Sequence, residues 1–244
     1  MPATLCNLKG RMKAIMDVIL CHDYQLILAK DCIPLVMKDL KTIALFSKVK
    51  LHLSERYSVL GIIGDPKDGL LPEHFHLNEQ QSILFTPSSI IYRVKPSLSI
   101  ALMENEEADT LQQRFENEQR LIGSLAWHRC LLDNGGFSLY PSTSEALLPH
   151  KVSMEESDYV SFDKGCYKGQ EVIARMHYKA NIKHALRYFT MTSDVQPQLL
   201  QKLLDQETGQ EVGELIDFYP QAEGRYTVAT SCMKNFQGPP LLAE

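Results

Sequence analysis

The chain reads as an α+β protein, with a ferredoxin-like layer towards its start and a small β-barrel at its end. Three observations predict this. Apolar runs in the first part follow the order strand, strand, helix, strand, strand; residues 33–46 carry a helical stripe; and beyond Asn181 the pattern turns to β runs separated by turn residues.

Residues 14–20 and 24–29 alternate as two strands joined by Cys21-His22-Asp23, which predicts a hairpin. In residues 33–46 the apolar positions Leu35, Val36, Leu40, Ile43, Ala44 and Phe46 form a near-helical stripe suited to one face of that hairpin. Alternation over 47–53 and the apolar run 58–63, ending at Gly64-Asp65-Pro66, complete the layer. Residues 65–79 are rich in Gly, Pro, His and charge and read as a loop; His74 and His76 lie two apart there without a third ligand, so no metal site is predicted. Short strands follow at 82–85 and 90–94. Acids at 104, 106 and 107 open a polar helix to residue 121, and a second helix over 124–132 is stopped by Asn134-Gly135-Gly136. Strands at 185–192, 211–218 and 225–231 make the terminal barrel. The division expected is a main domain over 1–180 and a small barrel over 181–244.

A net charge of −5 over 244 residues argues against general nucleic-acid binding. Residues 164–187 nevertheless hold six Lys or Arg against the single acid Glu171, which reads either as a solvated helix face or as an anion site. The six cysteines show no C-x-x-C pair or zinc spacing and are too sparse for a disulfide scaffold, so reduced thiols and a cytoplasmic location are expected. No apolar run approaches a membrane span.

One stretch stands apart: Lys164-Gly165-Cys166-Tyr167-Lys168-Gly169-Gln170-Glu171. Two glycines bracket a cysteine set between lysines. Gly165 and Gly169 are expected at positive φ, so the loop turns sharply, and Lys164 and Lys168 favour the thiolate of Cys166. Gln170 and Glu171 then open a helix, with Glu171 and Arg175 spaced to pair. The alternative for Cys166 is a buried small hydrophobe. Trp127, the only tryptophan, is either core packing or a flat face for an aromatic ligand.

The string K-G-C-Y-x-G-Q-E, preceded by Ser161-Phe162 and followed by Val-Ile-Ala-Arg, resembles the signature of the YgfZ-type folate-binding proteins, relatives of the glycine-cleavage T-protein (GcvT) aminomethyltransferases. The resemblance extends from Leu5-Cys6-Asn7-x-Lys9-Gly10-Arg11-Met12 through Phe46-Ser47-Lys48-Val49 to the signature and the Glu-Val-Gly segment at 211–213. It implies a GcvT-like folate-binding core and a tetrahydrofolate ligand. Trp127, eight residues before Gly135, would stack on the folate, Asn7, Lys9 and Arg11 would face it, and Cys166 would be the functional thiol. It further implies a role in iron–sulfur cluster assembly or repair and, through client enzymes, in tRNA modification.

The chain departs from the family pattern in three places. Pro149-His150 stands where Pro-Gln or Pro-Glu is usual. The stretch Lys9 to Ala14 lacks the Asp-Asp pair of true aminomethyltransferases, which removes the polar anchor for transfer chemistry. The resemblance also begins late, so the core is expected to be N-terminally incomplete, with an open pocket and an exposed sheet edge. The leading expectation is a folate-binding protein serving iron–sulfur enzymes. A folate-dependent one-carbon transferase and a non-functional truncated homologue are the alternatives.

Overall fold

A computed structural model describes residues 1–64, 77 and 81–243. The expected loop over 65–79, apart from Leu77, lies outside the described residues, as do His74 and His76. The protein is α+β, with three antiparallel sheets and four α-helices among the described residues. It divides into two compact units, Met1–Leu51 with Phe137–Glu244, and His52–Gly136, so residues 180 and 181 both fall within the first unit.

In the first unit, β1 (Pro2–Cys6), β2 (Met12–Cys21) and β3 (Asp23–Leu28) form a sheet in that order. The hairpin predicted from the alternation is present, turning at His22 in the left-handed region (φ 56°). Helix α1 (Ile33–Phe46) forms where the stripe predicts it, but Ile43 and Phe46 of that stripe are 52% and 82% exposed, so only its first part packs on the hairpin. Its Val36, Leu35 and Leu40 pack with Ala14, Met16 and Val18 of β2, whose period-two alternation sends those three side chains to one face. No strand forms over 47–53, because its first backbone donors close the helix instead. Ser47 N–H bonds to Ile43 O at 2.9 Å and Val49 N–H to Ala44 O at 2.8 Å, with Lys48 left-handed at φ 54°.

The second unit holds β4 (Tyr57–Ile63), β5 (Ile83–Phe85), β6 (Ser89–Lys95) and β7 (Leu98–Glu104) in the order β4-β7-β6-β5. The strands expected in one ferredoxin-like layer, the hairpin and β4, therefore belong to different sheets. β4 pairs not with the hairpin but with β7, an apolar central strand. Helix α2 (Asn105–Asn117) covers this sheet through Ala108 and Leu111. It stops short of residue 121, where Gln119 turns left-handed and Arg120 N–H returns to Phe115 O at 2.7 Å. Helix α3 (Ser124–Asp133) ends at Gly135, φ 70°, with Gly136 N–H on Leu131 O at 2.8 Å.

After the segment 137–169, helix α4 (Gln170–Lys179) leads to the terminal sheet of β8 (His184–Thr192), β9 (Lys202–Asp205), β10 (Glu211–Pro220), β11 (Arg225–Met233) and β12 (Pro240–Leu242). The order is β12-β9-β10-β11-β8, and the end strands β12 and β8 approach each other without pairing, so the expected barrel is a half-barrel. Its core is built on Met191, Leu203, Leu215, Val228 and Cys232.

A buried carboxylate fastens the start of the 137–169 segment to this sheet. Asp217 of β10 is 1% exposed; its oxygens accept Ser138 N–H at 2.7 Å, Tyr140 O–H at 2.9 Å and its neighbour Phe218 N–H at 2.9 Å. Burial, then the adjacent carboxylate, push the Tyr140 hydroxyl strongly up, so it stays a donor. Hydrogen bonds to a charged group contribute about 1.5–3 kcal/mol each. Tyr140→Phe is expected to lower the unfolding free energy by about that amount in urea titrations; a loss below about 0.5 kcal/mol would show that the bond contributes nothing net.

Candidate functional site

The signature loop is held by a backbone contact with a turn some 160 positions earlier in the chain. Asn7 builds that turn. Its Oδ1 accepts Lys9 N–H at 2.9 Å and Arg11 N–H at 3.0 Å, while Gly10 N–H bonds to Asn7 O at 3.0 Å and Gly10 sits at φ 72°. Gly169 caps α4 at φ 82°, and a Cβ on it would lie 2.4 Å from Asn7 O and 2.9 Å from Gly10 N. In return, a Cβ on Gly10 would meet Val172 and Ile173 of α4 at 3.2 Å. The stretches Asn7 to Arg11 and Lys164 to Glu171 are thus two halves of one structure.

Beneath the contact, Ile173 is 1% exposed and packs with Cys6, Met12, Leu147 and Ile216, so a single apolar cluster joins α4 to the first sheet and the half-barrel. Gln170 closes the loop by accepting Tyr167 N–H on Oε1 at 3.3 Å. Two expectations for this loop are corrected. Gly165 does not adopt positive φ, and a Cβ there would meet nothing within 4 Å, so the turn is made at Gly169 alone. Among the described residues no ion pair joins Glu171 to Arg175; both side chains are exposed, where such a pair gains little over hydration.

Charge around the loop forms a chain of contacts. Lys13 of β2 bonds Asp39 of α1 at 2.6 Å and Glu145 at 3.1 Å, Lys168 reaches Asp39 at 3.4 Å, and Asn7 Nδ2–H donates to Glu145 at 3.0 Å. The hydrogen bond to Asp39 leads the causes that raise the Lys13 ammonium above its ordinary range. Burial works to raise the Asp39 carboxyl, but the hydrogen bonds and charges of Lys13 and Lys168 outweigh it and lower it. Asp39 and Glu145 were not singled out in the sequence, which carries no local pattern linking them to the loop.

Cys166 is exposed, whereas Cys6, Cys32 and Cys232 are buried. The flanking lysines have other contacts: Lys168 with Asp39, and Lys164 Nζ 4.8 Å above the centre of the Tyr167 ring. Arg11 donates to the carbonyl of Ala146, and Lys9 is exposed. Trp127 is half-buried on α3 in the second unit, with its indole lying against Gly61 of β4, where a Cβ would come within 2.4 Å of Cε3. Gly61 makes room for that ring.

A pocket of about 90 Å³ lies beside the loop, lined by β1, residues 159–161, Lys164, Tyr167, Lys168 and Ile173. Sites for drug-sized ligands run to about 300–1,000 Å³, so a pterin with its benzoyl arm does not fit this pocket. Among the described residues no group of three or more His, Cys, Asp and Glu is placed to hold a metal ion, and no helix is long and apolar enough to cross a membrane.

His150, at the departure from the family pattern, is 1% exposed, with neither ring nitrogen hydrogen-bonded. It lies 6.3 Å from the Phe162 ring and 6.2 Å from that of His177 of α4. Burial, then the neighbouring His177, hold its pKa below the ordinary 6.5.

No family model matches the chain. Among curated proteins it is 28% identical over 199 residues to the tRNA-modifying protein YgfZ of Buchnera aphidicola, a match covering 80% of this chain and 62% of that relative. An uncharacterized protein of Haemophilus influenzae is 28% identical over 236 residues, covering 96% and 70%. The tRNA-modifying protein YgfZ of Aliivibrio fischeri is 25% identical over 234 residues, covering 94% and 72%. The chain thus spans about three fifths of the Buchnera relative, 62% of its length.

Two outcomes follow from the site's geometry. Gly169→Ala must force a side chain into a left-handed position against Asn7 O and is expected to cost at least about 2 kcal/mol, whereas Gly165→Ala should stay within about 0.5 kcal/mol. Equal losses in urea melts of the two variants would contradict the contact. Because the folded state holds His150 below 6.5, the unfolded chain binds more protons as the pH drops through 6.5, and stability falls until the folded value is passed. Unfolding titrations between about pH 7.5 and 5 should show that fall, reduced in His150→Phe. An unchanged slope in the variant would assign it elsewhere, for instance to His184, which burial and Lys151 also hold low.

Similarity to relatives named tRNA-modifying protein YgfZ thus runs along most of this chain, which also contains the signature loop.

Proposed function

We propose that this chain is a folate-binding protein with a GcvT-like core, acting in tRNA modification by supporting the assembly or repair of iron–sulfur clusters in client enzymes. The observation that carries the reading is an exposed Cys166 on a loop fixed at its far end by Gly169 against the Asn7–Gly10 turn. A thiol on a fixed loop is available to partners without unfolding, which suits a maintenance role better than a buried sulfur would. Relatives named tRNA-modifying protein YgfZ support the biological setting. The half-buried indole of Trp127 suits one-sided stacking on a pterin or benzoyl ring, so folate is assigned to Trp127 and not to the small pocket beside the loop.

Trp127 is the only tryptophan, so its fluorescence reports directly on that assignment. Titration with tetrahydrofolate is expected to quench it saturably; no change at millimolar folate removes the folate assignment. In a strain lacking its own copy, the wild-type gene should restore tRNA modification and Cys166→Ala should not. Full rescue by the variant would take Cys166 out of the mechanism. Turnover of an aminomethyl or methyl donor would make the chain a one-carbon transferase instead.

A further inference from the structure

His150 is sealed beneath the segment that leads into the signature loop. It stands in the turn Pro149–Val152, and neither of its ring nitrogens is hydrogen-bonded to the protein or reaches solvent. Its cover is a stack of rings. Phe162 lies face to face with His177 of α4 at 3.9 Å, and Tyr178 stands edge-on to both. His177 and Tyr178 are themselves exposed, whereas the buried residue of α4 is Ile173, one turn after Gly169. The last turn of α4 is thus held at the ring stack, and its first turn by Gly169 and Ile173. The turn carrying His150 packs against α4, β8, β11 and the turn Met154–Glu156. Of the charged and titratable groups on these elements, His177 is the one that opposes a charge on His150. Lys151 is engaged with Glu214 at 3.1 Å, and Arg187 of β8 donates to the carbonyls of Met233 and Phe236. Burial raises the Cys232 thiol of β11, and burial with Lys151 holds His184 of β8 low. A proton on His150 would therefore meet no acceptor, no water and a second imidazole. Such a charge must be rehydrated, and that requires the cover to move.

We propose that His150 is a pH-sensitive latch for the signature loop: protonation of its sealed ring releases Phe162 and the last turn of α4, freeing the approach to Cys166 while Gly169 and Ile173 keep the start of the helix docked. The open state exposes the imidazole to water, where it takes a proton at its ordinary 6.5, and the closed state resists that proton. Opening is therefore favoured as the pH falls through 6.5 and levels off once the closed value is passed. Glu155 works in the opposite sense. Burial raises its carboxyl above 4.5, so where opening uncovers it the closed state is the better proton acceptor, and stronger acid restores part of the hold. A single histidine shifts the opening equilibrium by at most about tenfold at pH 5.5. Local openings draw on free energies below that of global unfolding, so a shift of this size changes the loop without melting the fold. The inference depends neither on folate binding nor on the role of the thiol, because it rests on the packing of residues in the first unit alone.

The test is amide hydrogen exchange of the full chain at pH 7.5 and 5.5, each rate divided by that of an unstructured chain at the same pH. Protection of the amides of Tyr167 and of residues 177–180 is expected to fall by about threefold to tenfold at the lower pH. Protection of Ile173, whose N–H bonds to Gly169 O at 3.2 Å, and of β11 should hold within about twofold. His150→Gln and His150→Phe, which cannot take the proton, should each remove the fall; if one fails to fold, the other decides. His177→Phe, which keeps a ring against Phe162, and His184→Gln should both retain it. A fall below about threefold in the wild type would overturn the proposal, as would a loss spread evenly over the chain, which is global destabilisation. A fall that survives in the His150 variants, or that vanishes in His177→Phe or His184→Gln, would overturn it too, by assigning the proton elsewhere. Should neither His150 variant fold, the ring titration of His150 in the wild type decides: its midpoint must coincide with that of the fall in protection.

Discussion

The approach of Gly169 to the turn at Asn7 and Gly10 is the constraint on which the rest of the site depends. A backbone contact this tight leaves no room for a Cβ on the α4 side, and it fixes where the helix begins. Once α4 starts there, Ile173 falls into the cluster with Met12, Leu147 and Ile216, and the loop before it is pushed outward with Cys166 on its surface. Exposure of the thiol is therefore a consequence of how the glycine packs.

Electrostatics adds a second tie at lower cost in shape. Asp39 receives both Lys13 from the first sheet and Lys168 from the loop, while Glu145 receives Lys13 and Asn7. Isolated exposed pairs of this kind contribute little, but here Lys13 and Asp39 are mostly buried and share partners, so the network fixes geometry. The loop lysines consequently divide their roles: one is tied to α1, and the other stays over Tyr167 at the edge of the small pocket.

The residues on which the proposed function rests fall in different compact units. The first contains the thiol, the glycine contact and the small pocket beside the loop; the second contains the indole seated on Gly61. The glycine of β4 is as necessary to Trp127 as Gly169 is to the loop, since a side chain at either place would occupy the space that its neighbour fills.

Much of the secondary structure was legible because its signals are local. The stripe over 33–46, the Asn-Gly-Gly stop after α3 and the start of α4 after Gly169 each depend on residues within a turn or two, and each appears at or next to its expected place. The strands β1, β7, β9 and β12 were not legible. β7 is a run of Leu, Ser, Ile, Ala and Met buried as a central strand, without the alternation that marks a half-buried one, and β9 and β12 are too short to show a period. Pairing across distance was equally hidden: nothing in residues 14–29 or 57–63 says that β2 and β4 belong to different sheets. By itself the sequence determined the α+β class, the family signature and the residues of the loop. Only the tertiary structure decided that Gly169 and not Gly165 needs to be glycine, that Lys168 is held by Asp39, and that Trp127 rests on Gly61. These are contacts between segments far apart in the chain, and local propensity contains no record of which distant atom will lie within reach.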